Sequence, residues 1–192
     1  VDDYADCLTA LLNVLAVDKV HILGQSIAAL VAARLCVRNL DRIKSYIFAH
    51  GLTGLGGLDE EARDTAKNGR LEVFDSLGPK RFAREKGPAI MSPGVSEAAR
   101  EKAVCIMAKV NPAGFRQAVE MLSTANLFKD TASITAPALV LCGADDPIAP
   151  ETVCRSVEAA LPNAQFRLIP GVGHYSATEN PALITLYLSL LP

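Results

Sequence analysis

Three side chains far apart in this 192-residue chain have the types needed for nucleophilic acyl transfer: Ser26, Asp146 and His174. A serine hydroxyl becomes a nucleophile when an imidazole takes its proton, and a carboxylate orients that imidazole and stabilises its cation. Ser26 lies in Gly24-Gln25-Ser26-Ile27-Ala28, between an apolar run over 20–23 and an Ala-rich helical pattern. The stretch therefore reads as strand, sharp turn, helix, and a serine at such a corner needs small residues two positions to either side. Gly24 and Ala28 meet that need, although Ala28 stands where a second glycine is usual. Taken singly, Ser26 reads equally well as a helix N-cap, Asp145-Asp146-Pro147 as a self-bonded turn and His174 as a turn histidine. Their placement separates the readings. Each follows a buried strand, the carboxyl ends of parallel strands share one edge where ligands are transformed, and the order serine, acid, histidine accompanies a strand-turn-helix serine.

The elements that must position them follow from periodicity. Acids at Asp2 and Asp3, then Leu8, Leu11, Leu12 and Leu15, predict an amphipathic helix over 2–16, packed on one face. A short buried strand over 20–23 leads into a helix over 26–38 that is apolar almost all round and should be central, and a second strand ends near His50. Glycines at 51, 54, 56 and 57 open a region without β-branched runs, and between 60 and 128 short helical patterns alternate with Gly78-Pro79, Gly87-Pro88, Pro93-Gly94 and Asn111-Pro112. This predicts several short helices forming a lid over the site, with Phe74, Phe82, Met91, Met107, Phe115 and Met121 shared between helix packing and its inner surface. Strand texture returns at 136–143, a helix follows over 150–161, and a fourth strand at 165–169 meets the turn Pro170-Gly171-Val172-Gly173-His174. A Leu-rich helix from Asn180-Pro181 closes the sequence. Alternating helices and strands call for a parallel sheet flanked by helices, an α/β fold.

Composition narrows the function classes. Half of the residues are hydrophobic and 21% charged, ordinary for a globular chain with a sizeable core, and 19 basic against 21 acidic residues leave no basic stripe for nucleic acid. No apolar segment is long enough to span a membrane, and the first residues lack a signal peptide's basic region. Five scattered cysteines, at 7, 36, 105, 142 and 154, form no metal-binding spacing and no disulfide framework, so they read as reduced residues of a cytoplasmic protein. His21 and His50 read as structural, and no metal or organic cofactor is called for.

Gly24-Gln25-Ser26-Ile27-Ala28, Gly143-Ala144-Asp145-Asp146-Pro147 and Gly171-Val172-Gly173-His174 resemble the three signature loops of the α/β-hydrolase superfamily over nearly the whole chain. The resemblance implies Ser26 as nucleophile, Asp146 as acid, His174 as base and the Ile27 backbone N–H as one oxyanion donor, acting on a small-molecule ester or lactone. The superfamily's spacing, a glycine, two residues, then the acid, implies Asp146 rather than Asp145. Asn111-Pro112-Ala113-Gly114-Phe115 and the 134–140 stretch are similar to the 3-oxoadipate enol-lactonase branch, whose dicarboxylate-derived substrate would give Arg81, Arg84 or Arg116 a partner. Carbon–carbon bond hydrolases share the same three residues, and a non-catalytic binding module of this fold is the other alternative.

Members of that superfamily carry further strands before the first helix seen here, with a second oxyanion donor among them. The sequence opens at Val1 without an initiator Met, so the expectation is a partial fold: one domain over 1–192, core 1–51 and 134–192, helical insertion 52–133. The strand leading to Ser26 would then lie at an unpaired edge that invites self-association. Loss of one oxyanion donor typically costs about 10²–10³ in rate, so the chain by itself is expected to be impaired.

Overall fold

The computed structural model describes residues 1–188. Four strands, β1 (Val20–Gln25), β2 (Ile43–Ala49), β3 (Ala138–Gly143) and β4 (Ala164–Ile169), form one sheet in sequence order, every neighbouring pair parallel. The register sets Gln25 beside Ala49 and Gly143 beside Ile169, which brings the carboxyl ends of the strands to one edge. A parallel sheet flanked by helices, the α/β architecture expected, is what the chain forms.

Helices α1 (Asp2–Val14), α2 (Ala28–Arg38) and α7 (Glu151–Ala160) connect or precede the strands. The small side chains of α2 let it lie close on the sheet: Ala29, Ala32, Ala33, Leu35 and Cys36 are buried, and the Tyr46 hydroxyl donates to the Ala29 carbonyl at 3.0 Å. Tyr46, Phe48, Val140, Cys154 and Val157 complete the main core, whereas Ile47, Leu139, Leu141 and Ile169 form a smaller cluster. Burying a side chain of this size is worth about 1.5–3 kcal/mol, so the two clusters hold the sheet edge rigid.

One expectation is corrected. The leucine stripe of α1 is not packed away: Leu11 is 50% and Leu15 59% exposed, and of the helix only Ala5 is buried. The reason is that β1 lies at the sheet edge, so α1 rests on α2 and overhangs the strand. Between β2 and β3 the predicted helices are present: α3 (Glu60–Lys86), α4 (Glu97–Met107), α5 (Pro112–Thr124) and the single turn α6 (Phe128–Thr131). Gly78-Pro79 divides α3 into two helical runs, as the sequence suggests, because Gly78 takes φ 66 and ψ 167 and the proline then begins a new run. Phe74 stacks on Phe115 with ring centroids 3.9 Å apart and joins α3 to α5. Unlike α3 to α5, α6 sits against α2 and α7, with Asp130 3.3 Å from Arg34. Short α8 (Ser176–Glu179) and α9 (Pro181–Leu188) follow β4.

Candidate active site

Ser26 occupies the corner between β1 and α2 with φ 55, a left-handed conformation that costs a non-glycine residue about 1–2 kcal/mol. Three backbone hydrogen bonds hold it there. Its N–H donates to the Ala49 carbonyl at 3.1 Å, and its own carbonyl accepts from Ala29 and Leu52, both at 3.1 Å. Gly24 is required: a Cβ there would sit 2.6 Å from the Ala28 carbonyl oxygen and from the Ala29 Cα. Ala28 is exposed on the first turn of α2, which explains why the second glycine of the usual pattern is dispensable.

Asp146 follows β3 in a turn that its own side chain stabilises, Oδ1 accepting the N–H groups of Ile148 at 2.8 Å and Ala149 at 3.0 Å. Oδ2 lies 2.9 Å from His174 Nδ1. A carboxylate only accepts, so Nδ1 carries the proton and Nε2 is left as the acceptor. That nitrogen receives the Ser26 hydroxyl at 2.8 Å. Burial pushes the Asp146 carboxyl up, but the hydrogen bond and charge of His174, with the two backbone donors, outweigh it and hold the group below its ordinary value. Asp145 is turned away and accepts the Ser92 hydroxyl at 2.7 Å. The structure thus brings Ser26, His174 and Asp146 into one hydrogen-bonded line.

The loop that carries His174 is fixed from several sides. Its backbone N–H donates to the Ile90 carbonyl and its carbonyl accepts from Gln25 Nε2, each at 2.8 Å. Glu179, inconspicuous in the sequence, receives three backbone donors: Ser92 and Gly173 on Oε2 at 3.0 and 2.8 Å, Tyr175 on Oε1 at 3.0 Å. One carboxylate therefore grips the residues on both sides of His174 and ties them to the segment after α3. The only trace of this in sequence is an acid five residues beyond the histidine.

Ser26 and His174 open into a cavity of about 750 Å³. Ile27 lines it too, and among the described residues no protein acceptor takes its N–H. Phe82, Met107 and Phe115 line the cavity, whereas Phe74, Met91 and Met121 are buried in packing. Arg81 is held by Glu85 and Arg116 by Asp75, both at 2.6 Å, and neither they nor Arg84 reach the cavity. The cations that line it are Arg70 and Lys86, both exposed. Among the described residues no group of three His, Cys, Asp or Glu side chains is placed to hold a metal ion, and no helix is long and apolar enough to cross a membrane. All five cysteines are free thiols; Cys36, Cys142 and Cys154 are buried, whereas Cys7 and Cys105 are exposed.

A parallel sheet with a strained serine at the end of one strand, and an acid and a histidine after two others, is the architecture of α/β hydrolases. Residues 1–185 match the α/β hydrolase family, and the chain belongs to it. It is similar to a curated Mycobacterium tuberculosis protein that bears the provisional name non-heme bromoperoxidase BpoC, at 25% identity over 183 residues, covering 91% of this chain and 68% of that one. A thermophilic esterase from Thermogutta terrifontis superposes with a TM-score of 0.84 at 24% identity, over 96% of this chain and 69% of the esterase. Est816, described as an N-acyl homoserine lactone degrading enzyme, superposes with a TM-score of 0.74 at 25% identity, over 96% of this chain and 72% of its own.

Proposed function

We propose that the chain is a serine hydrolase acting on an ester or lactone through an acyl-enzyme, with Ser26 as nucleophile, His174 as general base and Asp146 as the acid that orients it. The observation that carries this reading is the unbroken line from Ser26 Oγ through His174 to Asp146 Oδ2, at 2.8 and 2.9 Å, with its serine end open to a cavity. In the first half-reaction His174 Nε2 takes the Ser26 proton while Oγ adds to the carbonyl carbon. The oxygen that gains charge is stabilised by the free N–H of Ile27. His174 then gives the proton to the leaving alkoxide as its bond to the carbonyl carbon breaks; in the second half-reaction it draws a proton from the water that adds to the acyl carbon and passes it to Ser26 Oγ as the C–Oγ bond breaks and the acid leaves. The hydrogen-bonded, accessible serine argues against a purely binding role, which needs none of the three side chains.

The narrower enol-lactonase reading has less support, since Arg81 and Arg116 are already paired and only Arg70 and Lys86 border the cavity. We also take the chain to work at full rate only with the strands that family members carry ahead of α1 and the oxyanion donor among them.

The test is labelling by a fluorophosphonate, read by mass spectrometry, on the chain alone and on the chain extended by those strands. Ser26 should be modified in the extended protein, more slowly in the chain alone, and not at all after Ser26→Ala. Asp146→Asn should slow it about 10⁴-fold, the scale seen when a serine protease's aspartate is replaced. An extended, folded protein whose Ser26 stays unlabelled would remove the reading.

A further inference from the structure

Resting on that reading, we infer that the part of the substrate which does not react is an uncharged, apolar chain or ring of medium size, rather than a short group ending in a carboxylate. The cavity walls carry the argument. On the side away from the sheet, Phe82 of α3, Met107 of α4 and Phe115 of α5 converge, and Val119, Leu122 and Ile148 continue the apolar surface towards Ser26. Phe115 is stacked on the buried Phe74 and meets Phe82 edge-on at 5.6 Å, so this wall is held in place before a ligand arrives. The open cavity, about 750 Å³, has room for a ligand larger than a small lactone ring. A small lactone ring at Ser26 would leave most of that apolar surface uncovered.

Charge points the same way. A carboxylate buried among these side chains would need a buried partner, because an unpaired ion in an apolar site is strongly disfavoured. The cations that line the cavity, Arg70 and Lys86, are both exposed to solvent, and Arg70 spends one Nη on the Ala66 carbonyl of its own helix. They stand at the rim, where water screens them. Apart from Ser26 and His174, the other lining side chains are uncharged, and all of them but Thr65 and Tyr175 are apolar.

The experiment uses the full chain with Ser26→Ala, which cannot react, and measures by calorimetry its affinity for methyl acetate, methyl hexanoate, methyl octanoate and monomethyl suberate. Affinity should rise about fourfold per added methylene along the neutral series, the scale of burying one such group. Monomethyl suberate should bind at least tenfold more weakly than methyl octanoate. Ala118→Phe, which projects into the cavity from α5, should cost octanoate at least tenfold and acetate less than twofold; if that variant does not fold, the ester series alone still decides. Equal affinity for acetate and octanoate, or for octanoate and monomethyl suberate, overturns the inference. Binding is read without catalysis, so failure of Ser26 to label would sink the proposed reaction and leave this outcome separately readable.

Discussion

His50 stands behind Asp146, its Nδ1 3.7 Å from the same Oδ2 that receives the His174 proton. It is fully buried at the end of β2 with φ 48, and its Nδ1 accepts the Gly143 N–H at 3.0 Å. The proton therefore sits on Nε2, a nitrogen with no partner among the described residues. Burial pushes the pKa of this histidine down to about 4; the Asp146 charge opposes that and His174 adds to it. Its neutrality matters to the site, because a charged His50 would compete with His174 for the same carboxylate oxygen.

A histidine lowered on folding binds fewer protons in the native than in the unfolded state between about pH 6.5 and pH 4, so stability must fall as pH falls through that window. The loss attributable to His50 should reach roughly 3 kcal/mol at its full extent, since each tenfold fall in proton affinity on folding corresponds to about 1.36 kcal/mol. Asp146, lowered by its partners, loses its stabilising contribution only at lower pH, below the ordinary carboxylate value. His50→Asn accepts the left-handed backbone and can still receive the Gly143 N–H. Urea unfolding from pH 7.5 to 4.5 should show a flatter pH dependence in this variant than in the parent. Identical slopes would contradict the assignment.

Ser26 trades stability for position. Ser26→Ala keeps the strained φ of 55 and Ser26→Gly relieves it, so the glycine variant should be the more stable of the two by about 1 kcal/mol, somewhat offset by glycine's freedom in the unfolded chain. For a chain of this length that corresponds to about 2–4 °C in Tm. Both variants should fail to react with a fluorophosphonate. A glycine variant that melts below the alanine one would show that the corner is not strained.

Glu179 is the positioning residue we expect to matter most outside the three-residue line. Glu179→Gln keeps the size but leaves one acceptor oxygen and an NH₂ group for three backbone donors. With charge-assisted bonds worth about 1.5–3 kcal/mol each, at least one such bond should be lost. Tm should drop by about 5 °C or more. The labelling rate of Ser26 at saturating reagent should fall at least tenfold while reagent affinity changes little, because the His174 loop and not the cavity is disturbed. A variant with parental Tm but slow labelling, or parental in both, would show that the carboxylate is not what steadies the loop.

The parallel sheet and the corner at Ser26 were legible in the linear chain because each is written in local chemistry. Small residues around a serine and apolar runs that stop at glycine both act over a few residues. Other features have no local signature. The leucines of α1 carry a core pattern, yet whether that face is covered depends on what neighbours β1.

The same division runs through the site. Residue types and their order along the chain determined which groups can exchange a proton with a serine. Tertiary structure alone decided that His50 loses its water beside Asp146, that Glu179 reaches back to both neighbours of His174, and that Arg70 and Lys86 rather than Arg81 and Arg116 border the cavity. Desolvation and hydrogen bonding between distant segments are properties of packed neighbours, and those neighbours exist only once the chain has folded.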